Sequence, residues 1–277
     1  MLVCLNGTFI PREDAKISIL DGGFLFGDTL FETLKANGNK ILLQDRHLDR
    51  LTLSAKLLDF PCDREKIATS LNQLGNALTH PNSRIRLTLS RGPFHGLQLP
   101  EQSTGYFLIT ASQLSITTDE QRDNGASCVI APNQRVNPLD HLPQMKRGNY
   151  ADCLYAANYA KQKNAREALF IDKDRTLLEG STTNLFVLKE NRLLTPPVGE
   201  NILAGVMRRQ VIDAATEMGI LVVERNIGKD ELFSAEEAFL TNSLIDILPI
   251  ASIDGIPINR GQNWKSLLKI LRVRIET

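Results

Sequence analysis

Three short strings in the 277-residue chain carry side chains able to do chemistry. In Gln144-Met145-Lys146-Arg147-Gly148-Asn149-Tyr150, a lysine follows apolar and proline residues just ahead of a helical pattern. A desolvated lysine has a lowered pKa and can form a Schiff base with a carbonyl compound. A solvated lysine before a helix is the competing reading. In Leu177-Leu178-Glu179-Gly180-Ser181-Thr182-Thr183-Asn184-Leu185-Phe186, Glu179 stands among apolar residues at a glycine turn. If buried there, it needs a cationic or hydrogen-bonding partner, because an unpaired buried charge is costly; otherwise it is an exposed loop acid. In Asp45-Arg46-His47-Leu48-Asp49-Arg50-Leu51, Arg46 and Arg50 lie one helical turn apart, beside an apolar stripe. Such guanidinium groups suit a phosphate, and they equally suit a surface ion-pair ladder with Asp45 and Asp49.

Other chemistries are not signalled. The chain has no P-loop, no G-x-S-x-G and no H-E-x-x-H, and the segment Gly22–Gly27 lacks dinucleotide-binding spacing. Four scattered histidines and four unclustered cysteines (Cys4, Cys62, Cys128, Cys153) argue against a metal site and a disulfide framework, and fit free buried thiols in a cytoplasmic protein. With 32 basic against 32 acidic residues, the net charge is zero, which argues against a nucleic-acid partner. No apolar run approaches the ~20 residues of a membrane span, and the opening residues lack the basic start of a signal peptide.

The elements that must position these strings follow from pattern. Asn6-Gly7 and Asn37-Gly38 are hairpin signals, the second separating Thr29–Ala36 from Lys40–Leu43. Leu48, Leu51, Ala55 and Leu58 define one helix ending before Pro61; Ile67, Leu71, Leu74 and Leu78 define a second, with Asp63 as N-cap. Alternation at Ile85, Leu87 and Leu89 predicts a strand, followed by another at Tyr106–Ala111. Polar, weakly patterned residues 112–127 read as a linker. Beyond it come a helix at Asn149–Lys163, strands at Ala168–Asp172 and Asn184–Lys189, and a helix from Gly205 to Met218 stopped by Gly219. Strands at Leu221–Glu224 and Glu237–Leu240, a turn at Asp254-Gly255 and a closing helix with Trp264, Leu267, Leu268 and Leu271 complete the reading. The expected organisation is α/β of the α+β type: a small N-terminal domain over residues 1–115, a linker over 116–127 and a larger C-terminal domain over 128–277.

In this order the strings resemble a known family, the class IV pyridoxal-phosphate (PLP) enzymes, over nearly the whole chain. The family includes branched-chain aminotransferases, D-amino acid aminotransferases and 4-amino-4-deoxychorismate lyases. Six blocks carry the resemblance: Phe26-Gly27-Asp28-Thr29-Leu30-Phe31-Glu32-Thr33, His47–Leu51, Met145-Lys146, Glu179–Phe186, Gly205-Val206-Met207-Arg208 and Phe239-Leu240-Thr241-Asn242-Ser243-Leu244. It implies a two-domain D-amino acid aminotransferase-like fold, with PLP between the domains, and a homodimer whose pocket borders the partner's N-terminal domain. By the same resemblance, Lys146 holds PLP and shuttles the Cα proton, Glu179 pairs with the pyridine nitrogen, and Arg50 binds the phosphate. The amides of Val206 and Met207 join Arg50 at the phosphate, where a helix dipole favours an anion, and Ser243 lies nearby. Tyr150 falls near a tyrosine that some relatives place beside the cofactor ring, at an offset from Lys146 one residue shorter than in branched-chain enzymes.

The last block and the Gly27-Asp28-x-x-Phe31 string look most like 4-amino-4-deoxychorismate lyases, with Asn242 and Phe31 as substrate-binding positions. Thr33 matches a threonine that supplies a hydroxyl near Cβ in some lyases. The loop Ser90–Leu97 lacks the second arginine that several relatives carry, leaving the substrate carboxylate to His95 or Arg91. The expected activity is a PLP-dependent lyase releasing pyruvate and 4-aminobenzoate, as in folate biosynthesis. The alternatives are a class IV aminotransferase acting on branched-chain or D-amino acids, and a PLP-binding protein without turnover.

Overall fold

The computed structural model describes residues 2–100 and 104–276. They form two compact units, one running to Ile116 and including Met145–Tyr150, the other made of Thr117–Gln144 and the chain from Ala151 onward.

The first unit contains β1 (Leu2–Leu5), β2 (Thr8–Pro11), α1 (Gly22–Phe26), β3 (Thr29–Asn37), β4 (Lys40–Ile41), α2 (Gln44–Leu57), α3 (Arg64–Ala77), β5 (Asn82–Ser90) and β6 (Tyr106–Gln113). The strands form an antiparallel sheet ordered β2-β1-β6-β5-β3-β4. Asn6 and Gly7 both have positive φ (49° and 91°), as the tight turn between β1 and β2 requires. Leu48, Leu51 and Ala55 of α2 and Ile67, Leu71 and Leu74 of α3 pack with Leu34, Ile85 and Leu87 in one core. Asp63 caps α3, accepting the Lys66 amide at 2.9 Å.

The segment Met145–Tyr150 docks on the start of β3. The Phe31 amide donates to the Lys146 carbonyl (2.9 Å) and the Gly148 amide to the Thr29 carbonyl (2.8 Å). A Cβ on Gly148 would lie 2.1 Å from Thr29 Oγ1, so this approach needs glycine. Lys146 therefore belongs with the first unit, not with the C-terminal stretch in which sequence order puts it.

The second unit contains α4 (Asp119–Asn124), β7 (Ala126–Ile130), α5 (Ala151–Gln162), β8 (Glu167–Ile171), β9 (Thr176–Gly180), β10 (Asn184–Lys189), β11 (Arg192–Thr195), α6 (Val206–Glu217), β12 (Leu221–Glu224), β13 (Ile227–Gly228), α7 (Lys229–Phe233), β14 (Glu237–Asn242), β15 (Asp246–Ile253), β16 (Ile256–Pro257) and α8 (Asn263–Glu276). Its mixed sheet runs β12-β11-β10-β14-β15-β7-β8-β9-β13, with β16 added on β15. Leu169, Leu185, Val187, Leu240 and Ile250 are among its buried core.

Residues 112–127 are more ordered than a linker. They include the end of β6 and α4, whose Thr118 and Gln121 form a capping box. Arg122 of α4 is buried and donates to the carbonyls of Ile245 and Ile247, each at 2.9 Å, which ties this helix to the second unit.

Candidate functional site

In the first unit, β3 presents Phe31 and Thr33 on one face and Glu32 on the other, as strand alternation dictates. Glu32 is buried against α2, where His47 and Arg50 stand one turn apart. Arg50 grips it bidentately, Nε to Oε1 at 2.8 Å and Nη2 to Oε2 at 2.6 Å, and His47 Nδ1 lies 2.7 Å from Oε2. Burial alone would raise the Glu32 pKa, but Arg50 and the His47 hydrogen bond outweigh it and hold the carboxyl at about 2. Burial lowers the His47 pKa, and the nearby charges of Arg50 and Lys146 add to that against the pull of Glu32. His47 is thus neutral, with its proton on Nδ1 facing the carboxylate.

On the other face of β3, aromatic rings surround an amine. Lys146 Nζ is 4.6 Å from the centre of the Phe31 ring and 5.4 Å from that of Tyr150. The two rings meet edge to face at 5.4 Å. Arg86, paired with Thr33 across β3 and β5, lays its guanidinium 3.9 Å from the Phe31 centroid. Burial lowers its pKa, as does neighbouring Arg84, yet an arginine remains charged at neutral pH. In the sequence Arg86 is only the polar half of an alternating strand pattern, which hides its place beside Phe31.

The loop after β5 is held from within. Arg91 is buried, and its Nε donates to Asp28 Oδ2 (2.8 Å), Nη1 to the Asp59 carbonyl (2.5 Å) and Nη2 to the Leu58 carbonyl. Its guanidinium also stacks on Phe60, 3.8 Å from the ring centre. These contacts join the loop to the connection between α1 and β3 and to the end of α2, a fold-holding arrangement. His95, by contrast, is exposed.

In the second unit, Glu179 is the penultimate residue of β9 and is 5 % exposed. Its Oε1 accepts from Arg135 Nε at 3.0 Å; its Oε2 accepts from Asn184 Nδ2 at 3.2 Å and from the Leu203 amide at 3.0 Å. Arg135 also donates to Asp152 Oδ2 at 2.5 Å. Burial works against the Asp152 charge, but the Val136 amide and Arg135 prevail and hold its carboxyl below the usual range. Arg135 was not anticipated, since it lies 44 positions from Glu179 in a stretch without pattern.

The Leu203 contact links Glu179 to the loop that enters α6. Gly205 is the N-cap of α6 and offers no side-chain cap, and Val206 and Met207 are buried at the first turn. A Cβ on Gly205 would lie 2.0 Å from Asn184 Oδ1, so glycine is required where this helix start meets Asn184. Ser243 follows β14 and is half-buried. Asn242 folds onto its own turn: Oδ1 accepts the amides of Leu244 (2.9 Å) and Ile245 (3.0 Å), and Nδ2 donates to the Thr182 carbonyl (3.2 Å).

Comparison with known proteins assigns the class. Residues 29–253 match the model of the family Amino-transferase class IV. A Methanocaldococcus jannaschii protein, provisionally named a branched-chain-amino-acid aminotransferase, is 33 % identical over 95 % of this chain and 91 % of its own length. A D-alanine aminotransferase of Bacillus licheniformis is 28 % identical over 94 % of this chain and 91 % of its own. The solved structure of 4-amino-4-deoxychorismate lyase from Pseudomonas aeruginosa superposes with a TM-score of 0.88 at 24 % identity, covering both chains completely, a likeness of fold. The chain belongs to the class IV aminotransferase family, and is an enzyme of that pyridoxal-phosphate-dependent class with its two-sheet α/β fold.

Proposed function

We propose that this protein is a PLP-dependent lyase that converts 4-amino-4-deoxychorismate to 4-aminobenzoate and pyruvate. The observation that carries the reading is Thr33, which shares a face of β3 with Phe31, the ring approached by Lys146. A hydroxyl two residues from the amine-facing ring suits an elimination, in which the leaving oxygen at Cβ must receive a proton. An amino transfer makes no such demand on a strand hydroxyl.

The donor chemistry of the chain fits PLP. Lys146 is a primary amine lined by aromatic rings, suited to holding the cofactor's carbonyl carbon. Glu179 is a buried carboxylate, suited to the pyridine nitrogen in its protonated form. The start of α6 has first-turn amides without a side-chain cap, suited to a phosphate, and Arg50 is the cation proposed beside it. Bound PLP supplies an electron sink for the carbanion formed when the substrate loses its Cα proton. Lys146 takes up that proton, Thr33 donates one to the departing oxygen and is reprotonated at the expense of the proton Lys146 holds, and Arg86 pairs with a substrate carboxylate. Phe31 and Tyr150 keep water from Lys146. We also propose that the protein works as a homodimer, which sizing at micromolar concentration tests.

The test is an assay without any 2-oxo acid. Holoenzyme given 4-amino-4-deoxychorismate should release pyruvate and 4-aminobenzoate in equal amounts. A second reading, an aminotransferase for branched-chain or D-amino acids, is favoured by the names of the two sequence relatives. Failure to release pyruvate, with amino transfer appearing only when a 2-oxo acid is added, would establish it instead.

A further inference from the structure

Glu167, the first residue of β8, is a buried carboxylate that accepts hydrogen bonds from neutral donors. Its Oε1 receives the amides of Ala168 (3.0 Å) and Ser181 (3.1 Å) and the Ser181 hydroxyl. Its Oε2 receives the Thr182 amide (3.3 Å), the Thr182 hydroxyl (2.9 Å) and the Thr183 hydroxyl (3.1 Å). Five of these six donors come from three consecutive residues, the connection between β9 and β10. Loop hydroxyls ordinarily face water, yet Ser181 is 1 % and Thr183 6 % exposed. The turn closes so tightly over the carboxylate that a Cβ on Gly180 would lie 2.2 Å from Thr183 Oγ1 and 2.9 Å from Glu167 Cγ.

This loop is what separates Glu179 from Asn184. The Gly180 amide donates to the Thr183 carbonyl at 2.7 Å, bringing the two ends of the turn together. The closure brings Asn184 Nδ2 to Glu179 Oε2 at 3.2 Å and to the Leu203 carbonyl at 3.0 Å. Charge-assisted bonds to a desolvated carboxylate are stronger than neutral ones, so Glu167 holds the loop firmly.

We propose that Glu167 is a positioning residue for the cofactor: by drawing the hydroxyls of Ser181, Thr182 and Thr183 inward, it fixes the direction in which Glu179 and Asn184 point. The inference rests on the reading that Glu179 pairs with the pyridine nitrogen. Without the Glu167 anchor the turn relaxes, Asn184 withdraws from Oε2, and Glu179 is held only from the Arg135 and Leu203 sides. The carboxylate then sits less well against the ring nitrogen, whose protonation it favours.

The experiment compares holoenzymes of the parent, Glu167→Gln, Thr183→Val, Thr183→Ser and Glu179→Gln. Three quantities are read: the pH titration of the bound cofactor's visible absorbance, kcat against KM, and the unfolding temperature. Glu167→Gln leaves the Thr182 amide facing an NH2 group, and Thr183→Val removes one hydroxyl at constant shape. Both should shift the absorbance titration in the direction of Glu179→Gln. Both should lower kcat by about 10- to 100-fold with little change in KM, the scale of an ångström-sized misplacement. Thr183→Ser, which keeps the hydroxyl, should restore the parent titration. If Glu167→Gln fails to fold, the Thr183 pair decides alone. Glu167→Gln and Thr183→Val variants with lowered unfolding temperature but parental titration and kcat, while Glu179→Gln moves both, would overturn the positioning role. Parental titration and kcat in Glu179→Gln would instead overturn the cofactor role of Glu179, and this inference with it.

Discussion

Arg135 joins Glu179 to Asp152: one buried guanidinium lies 3.0 Å from Glu179 Oε1 and 2.5 Å from Asp152 Oδ2. The two carboxylates come from β9 and the first turn of α5, so a single cation ties a strand end to a helix start. Replacing Arg135 with Met keeps much of the bulk but leaves both acids buried without their cation. Breaking a buried pair in this way costs about 3–5 kcal/mol. The apo protein should therefore unfold at least about 6 °C lower, at roughly 2–4 °C per kcal/mol for a chain of this size. Thermal unfolding checks it; an unfolding temperature equal to the parent's would mean that other donors satisfy both acids.

Lys146→Ala should remove the visible absorbance of bound cofactor and lower turnover to background, with the fold retained. The backbone of Lys146 is what pairs with Phe31, and the substitution leaves that bond in place. Loss of a positioned proton carrier alone accounts for about 10²–10⁴-fold in rate, and loss of the covalent anchor adds to it. Reconstitution with PLP followed by absorbance and rate measurements decides. Turnover close to the parent's would refute the role.

How much of this was legible in the sequence depends on the range of the interaction. The turn at Asn6-Gly7, the cap at Asp63 and the stop at Gly219 are set by neighbouring residues, and they stand where the pattern puts them. The family blocks drew attention to Lys146, Glu179 and Arg50 as proposed cofactor residues. The partners of those residues were not legible. Glu32 meets His47 and Arg50 across 15 and 18 positions, and Arg135 meets Glu179 across 44, through contacts only the folded chain creates. The same holds for the docking of Met145–Tyr150 on β3, which turns on an unpaired strand edge and the absent side chain of Gly148. The capping box at Thr118 and Gln121 was readable, but low hydrophobicity in residues 112–127 masked it.

Arg86→Met tests whether the cation beside Phe31 recognises substrate. Met preserves apolar packing on the ring and removes only the charge. A hydrogen bond to a charged group contributes about 1.5–3 kcal/mol, so KM for a dicarboxylate substrate should rise roughly 10- to 100-fold, with kcat changed much less. Steady-state kinetics against substrates with and without the second carboxylate checks this. An equal effect on both would show that Arg86 serves the sheet and not the substrate.

Glu237 makes the pH dependence of stability a separate test, away from the proposed chemistry. It opens β14, is 2 % exposed, and its carboxylate oxygens make no hydrogen bond of good geometry; Gly261 leaves room for them, since a Cβ there would lie 2.6 Å from Oε2. Burial pushes its pKa up to about 7; the amides of Asn263 and Trp264 at the start of α8 ease the charge in part, and Glu236 adds to the rise. Between the ordinary carboxylate value near 4.5 and about 7, the unfolded chain has released this proton while the folded chain keeps it. The unfolded state then binds fewer protons, so stability falls as pH rises through that window and stays at the lower level above it. The whole effect is on the order of 3 kcal/mol. Glu237→Gln keeps the shape and removes the titration. The variant should match the parent near pH 4.5 and unfold several degrees higher at pH 8, at about 2–4 °C per kcal/mol. Unfolding temperatures across that range provide the check; a constant offset at every pH would assign Glu237 a packing role with no buried charge to relieve.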